Sequence, residues 1–190
     1  MPVQLIDRYW SCGVYHPYRI MGERNPNCDE LTFKMMDLKN PNCQAHSRAV
    51  EYFAKRWGDL LSSLLVDNRR LVEQNFNIAI IPKHERGRVS EGLQAVAGIV
   101  ATRIGYLPNP PPIILYRKYD VPSAHNSSGG RSVMTHIDSI EVLKNNLLKG
   151  APTVLLDDVK TTGVSMSACR QLLEQAGSGV VIPMPILETA

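Results

Sequence analysis

No apolar run in this chain approaches the roughly 18 residues that would suggest a membrane-spanning helix. No basic start followed by an apolar stretch opens it as a secretory leader would. The expectation is a soluble, cytoplasmic protein with no membrane partner. Only four cysteines are present, Cys12, Cys28, Cys43 and Cys169. They are too few and too scattered for a disulfide framework, so free thiols in a reducing compartment are the simplest reading. Lys and Arg form no dense run, and the net charge is only +3. That balance suits a small anionic ligand and argues against a nucleic-acid partner. Internal repeats and low-complexity tracts are absent. So is any GxxxxGK[ST] loop, which excludes a P-loop ATPase even where an apolar strand ends in acids.

What is present is an ordinary globular balance over 190 residues, 44% hydrophobic and 21% charged, enough for one domain to bury its own core. Residues 1–46 are turn-rich, with Pro17, Pro26 and Pro41 among short apolar pieces such as LTFKMM. From Ser47 to about Leu65 the residues Val50, Phe53, Trp57, Leu60, Leu61 and Leu64 recur at steps of three and four, which predicts a helix with one apolar stripe. NIAIIP at 77–82 is continuously apolar, as a strand buried on both faces would be. A polar loop, PKHERGR, follows it. Leu93, Val96, Ala97, Val100 and Ile104 mark a second helix, stopped by Gly105 and Pro108. PIILY at 112–116 reads as a second strand, residues 117–136 as a long functional loop, and TVLLDDV as a third strand. A helix over 164–176 ends at Gly177, and VVIPMPIL forms a last strand whose two prolines favour an edge or terminal position. The alternation predicts an α/β fold with a mainly parallel sheet flanked by helices. Ligands of such sheets sit beyond the carboxyl ends of the strands, where PKHERGR and DDVKTTGVS both lie.

The most informative stretch is VLLDDVKTTGVS at 154–165. Asp157 and Asp158 close a strand, where they could hold a hydrated divalent ion or accept hydrogen bonds from a diol. Lys160, Thr161, Thr162, Gly163, Val164 and Ser165 then run into a helix start, whose backbone N–H groups are unpaired and partly positive. Gly163 removes a side chain so that a phosphate can approach, and the three hydroxyls can donate to it. A helix cap needs one acid or one Thr; two acids, two Thr, a Gly and a Ser exceed that need. The arrangement describes a site for a ribose 5-phosphate.

VLLDDVKTTGVS resembles the phosphoribosyl diphosphate (PRPP) signature of type I phosphoribosyltransferases. IAIIPKHERGRVSEGLQAVAGIVATRIG and LYRKYDVPSAHNSSGGRSVMTHIDSIEV are similar to the regions that carry the first loop, the following helix and the mobile loop in ComF-type members. The likeness runs from Asn77 to the C-terminus. It implies a Rossmann-like core at 71–190 and a small N-terminal hood at 1–70 that would recognise an acceptor. It further implies that Asp157 and Asp158 bind the ribose hydroxyls, directly or through Mg²⁺ and water. Thr161, Thr162, Gly163, Val164 and Ser165 would hold the 5-phosphate. Lys83 would meet the pyrophosphate, with Lys118 and Arg131 closing over it. The implied reaction transfers the phosphoribosyl group to a nitrogenous base or amine. Mg²⁺ and cationic side chains would stabilise the leaving pyrophosphate, and a closing loop would exclude water. The likeness leaves room for a homodimer.

Other candidates are read more plainly. His84, His125 and His136 are candidates for proton transfer, with surface histidines as the preferred reading. Tyr9, Trp10, Tyr15 and Tyr18 could stack on a base or simply fill the core of the hood. ComF-type proteins begin with paired CxxC zinc motifs. Here Cys12, His16, Cys28, Cys43 and His46 stand at irregular spacings, so ordinary thiols are preferred and a zinc site is the alternative. Cys169 is expected in the core. Two other functions use the same residues: a PRPP- or nucleotide-sensing regulator without turnover, and an accessory protein of DNA uptake or defence.

Overall fold

A computed structural model describes residues 10–67, 75–106, 108–122 and 132–190. In chain order its elements are β1 (Val14–Tyr15), β2 (Arg19–Ile20), β3 (Glu23–Arg24), α1 (Glu30–Lys39), α2 (His46–Asp67), β4 (Asn77–Ile80), α3 (Glu91–Ile104), β5 (Leu115–Arg117), α4 (Val133–Ser139), β6 (Ile140–Val142), β7 (Thr153–Lys160), α5 (Val164–Gln175) and β8 (Val181–Thr189). Four strands form one parallel sheet in the order β1-β8-β7-β4.

The sheet is buried on both faces, which explains its unbroken apolar runs. Ile78 and Ile80 face a core built with α1, α2 and α3; Ala79 and Ile81 face the opposite one. Val154 and Leu156 likewise face the first core and Leu155 the second. The α2 stripe of Val50, Phe53, Trp57, Leu61 and Leu64 is buried in the first core, and Trp57 Nε1 donates to the carbonyl of Met184 on β8 at 3.3 Å. On the far face, Met166, Cys169 and Leu173 of α5 complete the second core. Cys169 is fully buried, as expected.

Three local expectations change. The stretch 112–116 gives a strand only at Leu115–Arg117, and this pairs antiparallel with β6 in a separate two-stranded sheet. Within the expected loop 117–136, a seven-residue helix starts at Val133; it is too short to show a period, and Ser132 caps it by accepting from the Thr135 amide. The turn-rich start contains α1, capped by Asp29, whose buried residues Thr32, Met35 and Leu38 step by three while Phe33 and Met36 remain exposed and blur the pattern. The proline-bearing β8 is second in the sheet, but its outer neighbour β1 pairs with it only at Glu188 and Thr189.

The last turn of α1 reaches the carboxyl end of β7, where Lys39 meets Asp158. Its seat there depends on a glycine in a third element. A Cβ on Gly92, in the first turn of α3, would collide with the backbone carbonyl of Leu38. Glycine at that position therefore lets the end of α1 press against α3.

Candidate functional site

Along β7 the first four residues are buried; from Asp157 onward the strand emerges. Both acids are bonded at once to the backbone. Asp157 Oδ1 accepts from the amide of Asp158 at 2.9 Å, and Asp158 Oδ1 accepts from the amide of Val159 at 2.6 Å. The other oxygen of Asp158 pairs with Lys39 Nζ at 3.2 Å. Lys39 Nζ also lies 5.9 Å from the ring of Tyr15. Lys160, grouped with the turn in the sequence, is directed sideways to Glu188 on β8 at 3.5 Å.

The turn after β7 is open. Thr161 and Thr162 are exposed, and Gly163 has a left-handed φ of 75° that side chains rarely adopt. Gly163 is the N-cap of α5, and among the described residues no side chain caps that end. By contrast, α1, α3 and α4 are capped by Asp29, Ser90 and Ser132. The start of α5 thus presents polarised N–H groups, bordered by the hydroxyls of Thr161, Thr162 and Ser165.

Lys83 lies half-buried after β4, its amide donating to the carbonyl of Arg88 at 2.9 Å. Its loop is held from below by Arg117, which is only 1% exposed. That burial requires partners for the guanidinium. Its Nε donates to the carbonyl of Lys83 at 2.8 Å, one terminal nitrogen to the carbonyl of Pro82 at 3.4 Å, and the other to the hydroxyl of Ser139. Further bonds tie the same loop to the segment after β5. Gly87 N donates to Arg117 O, Arg86 N to Asp120 Oδ1 and Val121 N to His84 O. Lys118 is exposed in that segment. Below the site, burial pushes the Cys169 thiol well above its ordinary range; the charge of Asp157 pushes the same way and that of Arg117 opposes it.

His136 departs from its expected place at the surface. It is 2% exposed, and its Nε2 lies 3.2 Å from the hydroxyl of Ser165. The packing of α4 against the start of α5 removes it from solvent. Arg131 and His125, expected in the closing loop, and Tyr9 lie outside the described residues.

Three of the five N-terminal zinc candidates, Cys28, Cys43 and His46, find ordinary partners. Cys28 Sγ donates to the carbonyls of Pro17 and Tyr18. Cys43 Sγ bonds Asp37, and His46 Nδ1 lies 3.1 Å from the Asp37 carbonyl. Among the described residues, no group of three or more His, Cys, Asp and Glu is placed to hold a metal ion. No helix among them is long and apolar enough to cross a membrane. An open groove is lined by Lys118, Ile140, Lys144, Leu172 and Gln175, so that of the expected site residues it includes Lys118. It carries none of residues 157–165.

The structure therefore brings Asp157, Asp158, the turn 161–165 and the loop of Lys83 to the carboxyl end of the sheet. It adds Lys39 and Arg117, which sequence alone does not single out, and it buries His136, which sequence offers as a surface histidine. Nothing in the sequence distinguishes Lys39 from other lysines at helix ends. Arg117 carries one overlooked signal: it directly continues an apolar strand.

The chain matches no protein-family model. Over 70 residues it is 36% identical to an adenine phosphoribosyltransferase of Treponema denticola, a span that is 37% of this chain and 37% of that protein. Over 51 residues it is 39% identical to an adenine phosphoribosyltransferase of Dichelobacter nodosus, covering 27% of this chain and 29% of that one. The matched spans thus cover between 29% and 37% of the length of these relatives. Among solved structures, it is similar to the Saccharomyces cerevisiae adenine phosphoribosyltransferase, with 18% identity, 71% of this chain and 68% of that chain covered, and a TM-score of 0.42. For the Thermoanaerobacter pseudethanolicus enzyme the identity is 17%, the coverage 76% and 82%, and the TM-score 0.42.

Proposed function

We propose that this protein binds PRPP with Mg²⁺ and transfers its phosphoribosyl group to a nitrogenous base or amine, releasing pyrophosphate. The observation that carries the reading is the strand–turn–helix unit 153–175. Two acids at the end of a buried strand lead directly into a glycine-opened helix start with no side-chain cap. The local identity to adenine phosphoribosyltransferases supports it and makes adenine the first acceptor to test.

In this reading Asp157 and Asp158 take the ribose hydroxyls. Thr161, Thr162 and Ser165, with the amides after Gly163, take the 5-phosphate. Lys83 meets the pyrophosphate on a loop whose carbonyls Arg117 already binds, so the loop needs little reordering when the anion arrives. Lys118 and Arg131 close from the segment after β5. The acid pair offers hard oxygen donors of the kind Mg²⁺ prefers, and that ion typically keeps several waters and adds substrate phosphates to its shell. When bound, Mg²⁺ would neutralise charge developing on the leaving pyrophosphate. Residues 1–70 would act as the acceptor-recognising hood, and the Lys39–Asp158 pair brings that segment to the site. Four free cysteines accord with a cytoplasmic setting.

The narrower ComF-type likeness rests on the residues after Asn77 and belongs to the same proposal. A sensing role without turnover would use the same pocket. Its support is the Lys39–Asp158 ion pair, which sets a cation from another helix on one of the two acids.

The test is calorimetric titration with PRPP, with and without Mg²⁺, on the wild type and on Asp157→Asn/Asp158→Asn. Binding should need Mg²⁺ and should weaken at least about 100-fold in the double variant, the scale expected when charge-assisted hydrogen bonds are removed. Pyrophosphate release with adenine and other bases then separates transfer from sensing. A wild type that ignores PRPP would refute the proposal.

A further inference from the structure

The bond between His136 and Ser165 has a consequence for the anion at the start of α5, and it rests on the phosphate-binding reading above. A serine hydroxyl has one proton and two lone pairs. At 3.2 Å from Nε2 two arrangements are open. In one, Ser165 donates to an unprotonated Nε2, and its lone pairs face outward toward any anion at the turn. In the other, Nε2 carries a proton and donates to Ser165, whose own proton is then free for the anion. A phosphate dianion is repelled by the first and held by the second.

We infer that His136 is a positioning residue: it donates from Nε2 to Ser165 and so turns the serine proton toward the bound phosphate. The fold holds the imidazole in place for this. Its helix is capped at one end by Ser132. At the other, Ser139 binds the Thr135 carbonyl at 2.6 Å and Arg117. At 2% exposure the ring cannot swing into water without opening the packing of α4 on α5. The same helix reaches both loops, Ser165 through His136 and the Lys83 loop through Ser139 and Arg117.

The experiment titrates ribose 5-phosphate into the full chain as wild type, His136→Gln and His136→Phe, with circular dichroism to check folding. Glutamine can place an amide N–H near the position of Nε2; phenylalanine fills the space and donates nothing. The phenylalanine variant should bind about tenfold or more weakly, and the glutamine variant should stay within about threefold of wild type. Equal binding by phenylalanine and wild type, or equal loss in both variants, would overturn the inference while leaving the phosphate site intact. Nitrogen-15 shifts of the His136 ring in the wild-type complex give an independent readout if the phenylalanine variant does not fold. A protonated Nε2 supports the assignment and an unprotonated one refutes it. A wild type that does not bind ribose 5-phosphate overturns the site reading, and this inference with it.

Discussion

The acid end and the hydroxyl end of one strand–turn–helix unit are occupied in opposite ways. At the acid end, Asp157 and Asp158 already bind backbone amides, and Asp158 also holds Lys39. At the hydroxyl end, two exposed threonines surround a helix start with no side-chain cap. A ligand at the acids must compete with a side chain from another helix, whereas the glycine N-cap at the turn offers no side chain to displace. The difference teaches that the two ends should respond separately: simple phosphates should depend on the turn alone, and a diol or divalent ion should depend on the acids and on Lys39.

The largest break in that comparison should come from Gly163→Val. A branched side chain at φ 75° is strained and sits where an anion would approach. Ribose 5-phosphate affinity should fall on the order of 100-fold, with about 1–3 kcal/mol lost from stability. Calorimetry and urea unfolding measure the two effects. The variant Asp157→Asn/Asp158→Asn should, by contrast, still bind inorganic phosphate. If the acid variant also lost phosphate, the two ends would not be separable.

Arg117→Met should come next, because it acts beneath a different loop. Methionine fills part of the space but leaves the carbonyls of Pro82 and Lys83 and the hydroxyl of Ser139 without their buried donor. A loss of about 2–4 kcal/mol in urea unfolding is expected for stranded buried acceptors. Pyrophosphate binding should weaken more than ribose 5-phosphate binding. Equal loss for both would mean that Arg117 supports the whole sheet edge rather than the loop of Lys83.

The parts of the fold that sequence made legible share one property: their signal is local. The stripe from Val50 to Leu64, the apolar runs at 77–82 and 154–156, and Gly163 before α5 each follow from a period, a run or a turn residue. The acids and hydroxyls of the site were legible for the same reason, since they occupy one continuous stretch. What sequence hid was made by juxtaposition. His136 reads as a surface residue because its helix has seven residues and no period; only its packing on α5 buries it. The run 112–116 reads as a strand of the parallel sheet, but the strand that forms, 115–117, pairs with β6 instead, and no local feature names a partner. Lys39 lies more than 100 positions from Asp158, and their meeting depends on a glycine in a third element.

The smallest effect, and the sharpest use of the comparison, concerns Lys39. Its side chain is 43% exposed and that of Asp158 is 28% exposed, so water screens the pair and little stability should depend on it. Lys39→Met should therefore change unfolding by less than about 1 kcal/mol. Its influence on the acids is a different matter. The ammonium neutralises one of two adjacent carboxylates and occupies an oxygen that a divalent ion or diol would use. Without it, Mg²⁺ alone should bind about two- to fivefold more tightly, the equivalent of a screened surface pair. The gain should shrink at higher ionic strength, where that attraction is damped. Phosphate binding at the turn should not move. Titrating Mg²⁺ into wild type and Lys39→Met at two salt concentrations measures this directly. Unchanged or weaker Mg²⁺ binding in the variant would show that the lysine does not compete for Asp158, and the contrast between an occupied acid end and an open hydroxyl end would lose its energetic meaning.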